Sequence, residues 1–273
     1  MLDREPSQEG HARDADRHAL TFDDVGGPAG RPVLYFHGGG DSRFTRHPDD
    51  GIATALGVRL LAVERSGPTV PGRTLITWAR DVEALADSLG LERFSVLGWS
   101  AGGPHALAVA AVLPERVSQV VLVGSMPYPD RAGELARDVR LSLRAATLAP
   151  RFLARRLEAW GRRPTPPTGQ ADTDDAYARG RTESFRAGGM WLVRELAVLG
   201  RPWGFDLSAV TAPATLWWGE SDVVCPPSIG RDYAARLPRA TLKLVPGTHQ
   251  VLFARWREIL ADAGGIGDGD SGP

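Results

Sequence analysis

Three residues have the types and chain order needed for nucleophilic acyl transfer: Ser100, Asp222 and His249. A serine hydroxyl is a weak nucleophile at neutral pH. A histidine must take its proton, and a carboxylate must hold that histidine in the right tautomer. Ser100 stands in Gly98-Trp99-Ser100-Ala101-Gly102, a G-x-S-x-G stretch with an apolar run before it and a helical run after it. Gly98, Gly102 and Gly103 suit a strained turn in which Cβ atoms would crowd the neighbouring strand and helix. Of the six histidines, His11 and His18 fall in a polar leader and His47 in a charged loop, while His105 lies one turn into the helix after the serine. His249 follows the last strand-like run, in "KLVPGTHQVLF", where a base can reach Ser100 from the carboxyl edge of a sheet. Asp222, four residues past the run ending at Trp218, lies at the same edge; Glu220 is the alternative acid, closer to the strand end.

Acyl transfer also needs two fixed N–H donors for the charge that develops on the carbonyl oxygen, each worth roughly 3 kcal/mol of transition-state stabilisation. Ala101 offers one amide. The glycine-rich "HGGGDSR", residues 37 to 43, offers the other, with Gly39 as first choice. His37 in that stretch reads as a structural hydrogen-bonding group, and Cys225 as a buried bystander. Gly40, Trp99, Met190 and Trp191 are candidate substrate contacts. Phe152, Trp160, Tyr177 and Phe185 belong with them as residues that line an apolar pocket or simply fill the packing.

The elements that must position these residues follow from pattern. Short apolar runs at Pro32–Phe36, Val58–Val63, Phe94–Leu97, Val117–Val123, Ala214–Trp218 and Thr241–Val245 are apolar on both faces, as strands of a parallel sheet covered on each side must be. Helix-like segments alternate with them. In "TLITWARDVEALADSLG" the apolar positions recur at spacings of three and four before Gly90. The alternation breaks between about Pro127 and Asp206, where helical periodicity at 135–148, 152–160 and 177–199 surrounds the breaker cluster "RRPTPPTGQADTDD". The predicted organisation is a leader at 1–18, a core at 19–126 and 207–262, a helical insertion at 127–206 and a flexible tail at 263–273.

Composition narrows the function. With 32 basic and 33 acidic side chains, the net charge of −1 offers no global field for nucleic acid or an anionic membrane. Lys243 is the only lysine, and the arginines are scattered along the sequence, which reads as compositional habit rather than a phosphate site. Cys225 is the only cysteine, so no disulfide can form within the chain, and a reducing cytoplasm fits. No stretch of about 18 apolar residues is present. The expected partner is a small-molecule substrate, with the protein a monomer or homodimer.

With these pieces the sequence resembles the α/β-hydrolase superfamily over residues 20–262, and most of all its lid-bearing bacterial carboxylesterase-like serine esterases. The resemblance rests on "PVLYFHGGGDSR", on the stretch from "LAVERSGPTVPGR" through "VLGWSAGGPH", on "LWWGESDVVCPP" and on "LVPGTHQVLF". It implies an α/β fold with a mostly parallel central sheet, helices on both faces and a helical lid after the sixth core strand. It also implies a Ser100, Asp222, His249 triad in the superfamily's chain order, an oxyanion hole at Gly39 and Ala101, and neither metal nor organic cofactor. Three departures stand out: "ERSGPTVPGR" replaces the usual R-P-G-[YF]-G-x-S segment, Thr248 replaces the usual glycine before the histidine, and Ser100 stands where members resembling haloalkane dehalogenases or epoxide hydrolases have an aspartate nucleophile, which argues against those activities; the G-G-S-W elbow of proline iminopeptidases is also absent. The expected reaction is cleavage of a small-to-medium apolar ester, thioester or lactone. The alternatives are cofactor-free lyase, epimerase or cyclase chemistry in the same pocket, and ligand binding without catalysis.

Overall fold

The computed structural model describes residues 8–11, 20–66 and 72–266, and the backbone alone for 8–11. Its strands are β1 (Gln8–His11), β2 (Thr21–Gly26), β3 (Arg31–Phe36), β4 (Val58–Val63), β5 (Phe94–Trp99), β6 (Val117–Val123), β7 (Ala214–Gly219) and β8 (Ala240–Val245). They pair in the order β1-β2-β4-β3-β5-β6-β7-β8. Both pairings of β2 are antiparallel, and the remaining pairings are parallel. The expected mostly parallel sheet is therefore present. It carries two more strands than the apolar runs predict. In β2, Asp23 and Asp24 interrupt the apolar pattern, and arginines make that tolerable: Arg43 reaches Asp23 at 2.8 Å and Arg59 reaches Asp24 at 2.7 Å.

Because strand side chains alternate, each central strand feeds two cores. Leu34 and Phe36 of β3, Val96 of β5 and Leu122 of β6 join one apolar cluster, whereas Val33, Tyr35, Leu97 and Val121 join the other. On the first face lie α2 (Leu75–Ser88), α3 (Gly102–Val112) and α8 (Pro227–Arg236); on the second lie α1 (Gly51–Ala55), α9 (Val251–Ala254) and α10 (Trp256–Ala263). Between β6 and β7 the chain builds four α-helices, α4 (Arg137–Leu148), α5 (Pro150–Gly161), α6 (Ala171–Ser184) and α7 (Met190–Leu199). The helical run expected over 177–199 is two helices, broken at 185–189, where Gly188 takes φ 89.

At the chain ends the boundaries shift. Residues 8–11, expected in a flexible leader, pair with β2 as an edge strand, while 1–7 and 12–19 lie outside the described residues. Ala263, expected in the tail, is fully buried as the last residue of α10, and 267–273 lie outside the described residues. Among the described residues no helix is long and apolar enough to cross a membrane.

Candidate active site

Strand order reverses direction between β3 and β5, since β4 lies beyond one and β6 beyond the other. Loops leaving the carboxyl ends of β3 and β5 consequently part there and leave a crevice. Gly39 follows β3 and Ser100 follows β5, so topology alone brings the glycine loop and the serine turn together. A Cβ on Gly39 would sit 3.3 Å from that of Ala101.

Ser100 is the only non-glycine among the described residues with positive φ, at 52°. A left-handed turn costs a residue with a Cβ about 1–2 kcal/mol and persists only where its surroundings hold it. Here the Ser100 N–H donates to the Val123 carbonyl at 3.0 Å, and its carbonyl accepts from Gly103 at 3.1 Å and Met126 at 3.0 Å. The glycines allow the close approach: a Cβ at Gly102 would collide with the Phe36 and His37 carbonyls, and one at Gly103 with Ser125. Ser100 is thereby lifted above the end of β5 at the start of α3, and its side chain is half-buried.

His249 reaches it from beyond β8. The His249 Nε2 lies 3.0 Å from Ser100 Oγ, and its Nδ1 lies 2.8 Å from Asp222 Oδ2. Asp222 is 3% exposed, and its other oxygen accepts the Val224 and Cys225 N–H groups at 2.8 and 2.9 Å. A carboxylate so surrounded can only accept from the histidine, which fixes the proton on Nδ1 and leaves the Nε2 lone pair for the serine hydroxyl. Glu220, the alternative acid, is exposed. Glycines clear the histidine's path across the sheet. A Cβ at Gly219 would strike the Gly247 and Thr248 carbonyls, and one at Gly124 would lie 3.1 Å from Asp222 and 3.2 Å from His249. Trp99 is 1% exposed; its ring packs 5.6 Å from that of His249 and its indole N–H donates to the His249 carbonyl at 3.1 Å.

On the opposite side, Arg65 forms a buried hub that the sequence reading did not find. Its guanidinium donates to the carbonyls of His37, of Gly38 at 3.1 Å and of Ala101 at 3.5 Å, and pairs with Glu195 of α7. These carbonyls flank Gly39 and the serine turn, so one side chain braces both backbone segments and ties them to the helical insertion. Burial, aided by the Arg65 charge, lowers the pKa of His37, and burial lowers that of His105 further. The His37 Nδ1 faces the Gly38 carbonyl at 2.9 Å, as expected of a structural group. Burial alone would raise Glu64, but hydrogen bonds from His37 and Ser66 hold its carboxyl down at about 2. Burial pushes Asp41 and Glu195 up to about 7, against the neighbouring charges of Arg181 on Asp41 and Arg65 on Glu195.

The insertion covers Gly40 with Trp160 of α5, whose ring would lie 2.6 Å from a Cβ there, and Gly39 and Gly40 with Leu192 of α7. Of the expected α7 contacts, Trp191 turns its indole N–H to the Ser184 carbonyl at 2.8 Å and its ring edge to His37, while Met190 packs half-buried against the apolar core. Tyr177 of α6 sits edge-on to Trp99, Phe185 edge-on to Trp160, and Phe152 is exposed. Among the described residues no three His, Cys, Asp or Glu side chains are grouped to hold a metal ion.

A protein-family profile described as alpha/beta hydrolase fold matches residues 31–254. The chain is 34% identical over 128 residues to a proline iminopeptidase of Xanthomonas citri, covering 44% of this chain and 40% of that one. The first curated relatives are all matched over less than two thirds of their own length. A longer match, 32% identical over 202 residues, joins 64% of this chain to 71% of a pimeloyl-[acyl-carrier protein] methyl ester esterase of Nitrosomonas europaea. Among solved structures, the esterase RhEst1 of Rhodococcus sp. ECU1013 superposes with a TM-score of 0.71 at 23% identity, over 95% of this chain and 99% of that one.

Proposed function

The chain belongs to the α/β-hydrolase family, and from that premise we propose that it is a serine hydrolase cleaving a small-to-medium ester through an acyl-enzyme. The observation that carries this reading is the unbroken hydrogen-bond chain from Ser100 Oγ through His249 to Asp222, set on a serine with φ of 52°. In the reaction, Ser100 attacks the acyl carbon as His249 Nε2 takes its proton. The amides of Gly39 and Ala101 receive the oxyanion, and Asp222 supports the imidazolium. His249 then returns the proton to the departing alcohol, and water, activated by the same nitrogen, releases the acid. The four inserted helices serve as a lid, with Leu192 and Trp160 bounding the acyl group beside the glycine loop. The match to a methyl ester esterase over most of that protein's length favours an ester over a peptide substrate.

The test is labelling with a fluorophosphonate and mapping of the adduct by mass spectrometry, together with p-nitrophenyl ester turnover. Labelling at Ser100 is expected, and Ser100→Ala should lower kcat by a factor on the order of 10⁴ or more. Turnover that survives in Ser100→Ala but dies in His249→Ala would replace this reading with covalent-free acid–base chemistry.

A further inference from the structure

Scattered in sequence, several arginines are gathered by the fold. A cavity of about 580 Å³ lies between α5, the Arg162–Thr165 segment and α6, lined by Arg162, Arg163, Arg181 and Arg186 with Glu158 as the one acid. That acid is occupied, since its carboxylate accepts the Gly189 N–H at 2.9 Å, and Arg186 pairs with Glu183 at 3.0 Å. Arg162 and Arg163 are exposed and show no ion pair among the described residues. Arg181 is different in kind: it is 4% exposed, lies 4.0 Å over the Trp160 ring, donates to the Tyr177 hydroxyl at 3.2 Å and acts by charge on the buried Asp41 carboxyl, while its Nε has no hydrogen-bond partner. A guanidinium withdrawn from water with a donor left unanswered costs free energy unless an acceptor arrives. The same Trp160 covers Gly40, next to Gly39, so one indole and one guanidinium link the cavity to the proposed reaction centre.

We propose that this cavity is a binding site for a small anion, a carboxylate or a phosphate, anchored by Arg181 and completed by Arg162 and Arg163. The planar guanidinium fork suits both anions, and Thr165 in the lining adds a neutral donor. On the ester-hydrolase reading, on which this second part rests, the anion is the far end of the substrate. The substrate class is then an ester whose acyl group carries a second acidic group beyond an apolar middle.

Binding is measured by calorimetry on Ser100→Ala protein in low-salt buffer, with glutarate and inorganic phosphate as probes. Saturable binding of at least one probe is expected, weakened about tenfold or more by Arg181→Gln and several-fold by Arg163→Gln. Arg151→Gln, on the exposed surface of α5 outside the cavity, should bind as the parent does. Arg163 is a surface residue, so its variant reports on the site even if Arg181→Gln fails to fold. No saturation, or affinities indifferent to both cavity substitutions, would overturn the site. Turnover identifies the source of the anion. For mono-p-nitrophenyl glutarate over p-nitrophenyl valerate, a kcat/KM ratio above about ten that falls toward unity in Arg163→Gln assigns the site to the substrate. A ratio near unity, with glutarate or phosphate altering turnover of the neutral ester, overturns that assignment and makes the anion a separate effector. Failure to turn over either ester would overturn the hydrolase reading, while the binding isotherms still decide the site.

Discussion

The two walls of the Ser100 crevice bury carboxylates to similar depth and treat them in opposite ways. On the wall formed after β7 and β8, Asp222 is 3% exposed and both its oxygens are hydrogen-bonded, to two backbone N–H groups and to His249. On the wall where the glycine loop meets α6 and α7, Asp41 is also 3% exposed and the Glu195 side chain 8% exposed, yet each leaves one oxygen without a partner. Burial pushes both of these carboxyls up to about 7. Arginines stand near both, so opposite charge alone does not satisfy a buried carboxylate; a full set of donors does. One wall is thus fixed in its hydrogen-bond geometry. The other can change charge near neutral pH, and it is the wall contributed in part by the insertion.

The largest contrast should appear on exchanging carboxylate for amide on each wall. Asp222→Asn is expected to lower kcat by a factor on the order of 10⁴ by favouring the wrong histidine tautomer, with little change in fold. Steady-state kinetics and near-ultraviolet circular dichroism check both halves, and near-normal kcat would end the equivalence drawn between Asp222 and a triad acid. Next in size is Arg65→Met, which leaves Glu195 buried without its cation and unbraces the His37, Gly38 and Ala101 carbonyls. Denaturant unfolding should show a loss of about 3–5 kcal/mol above pH 7. A smaller loss is expected at lower pH, where Glu195 can take up a proton.

The smallest effect is a pH slope. Asp41 and Glu195 keep their protons up to about 7 in the folded protein. In the unfolded chain ordinary carboxyls lose theirs near pH 4, at roughly 3.9 for Asp and 4.3 for Glu. Between those values these two groups bind more protons in the folded state, so their contribution to stability is full at low pH, falls as pH rises through that window and is lost beyond it. His37 and His105, held neutral by burial, act with the opposite sign, so the contribution is read as a difference: the stability of Asp41→Asn and of Glu195→Gln relative to the parent should rise from about pH 5 to 8. A difference that stays flat or falls over that range would erase the distinction between the walls.

The same division explains what the sequence made legible. Ser100 announces itself because strand, turn and helix are contiguous and glycine is required at 98, where the strand packs on Gly102 and Gly103 of the same turn. Asp222 and His249 are legible because each follows an apolar run that ends at the same sheet edge. The other wall assembles from Arg65 and Glu195, which are 130 positions apart, and from Asp41 beside α6. No local pattern encodes that meeting, which depends on how the insertion docks. An arginine two residues beyond the apolar run at 58–63 is the available signal, since that position is also at the carboxyl edge. In the fold, parallel strands were readable from continuous apolar runs. β2 was not, because its two aspartates are neutralised from across the chain. Gly188 and Gly189 mark the division of the run at 177–199, which helical spacing alone does not show.

The bond between Ser100 and His249 spans 149 positions, and the Trp99 indole reaches 150 positions to the His249 carbonyl. Contacts of such separation form late, because the intervening chain must first be ordered. His249 follows β8, so its approach to Ser100 depends on the pairing of β8 with β7. On the serine-hydrolase reading, the hydroxyl gains its general base only when β7 and β8 are paired, so reactivity at Ser100 would be coupled to assembly of the far side of the sheet.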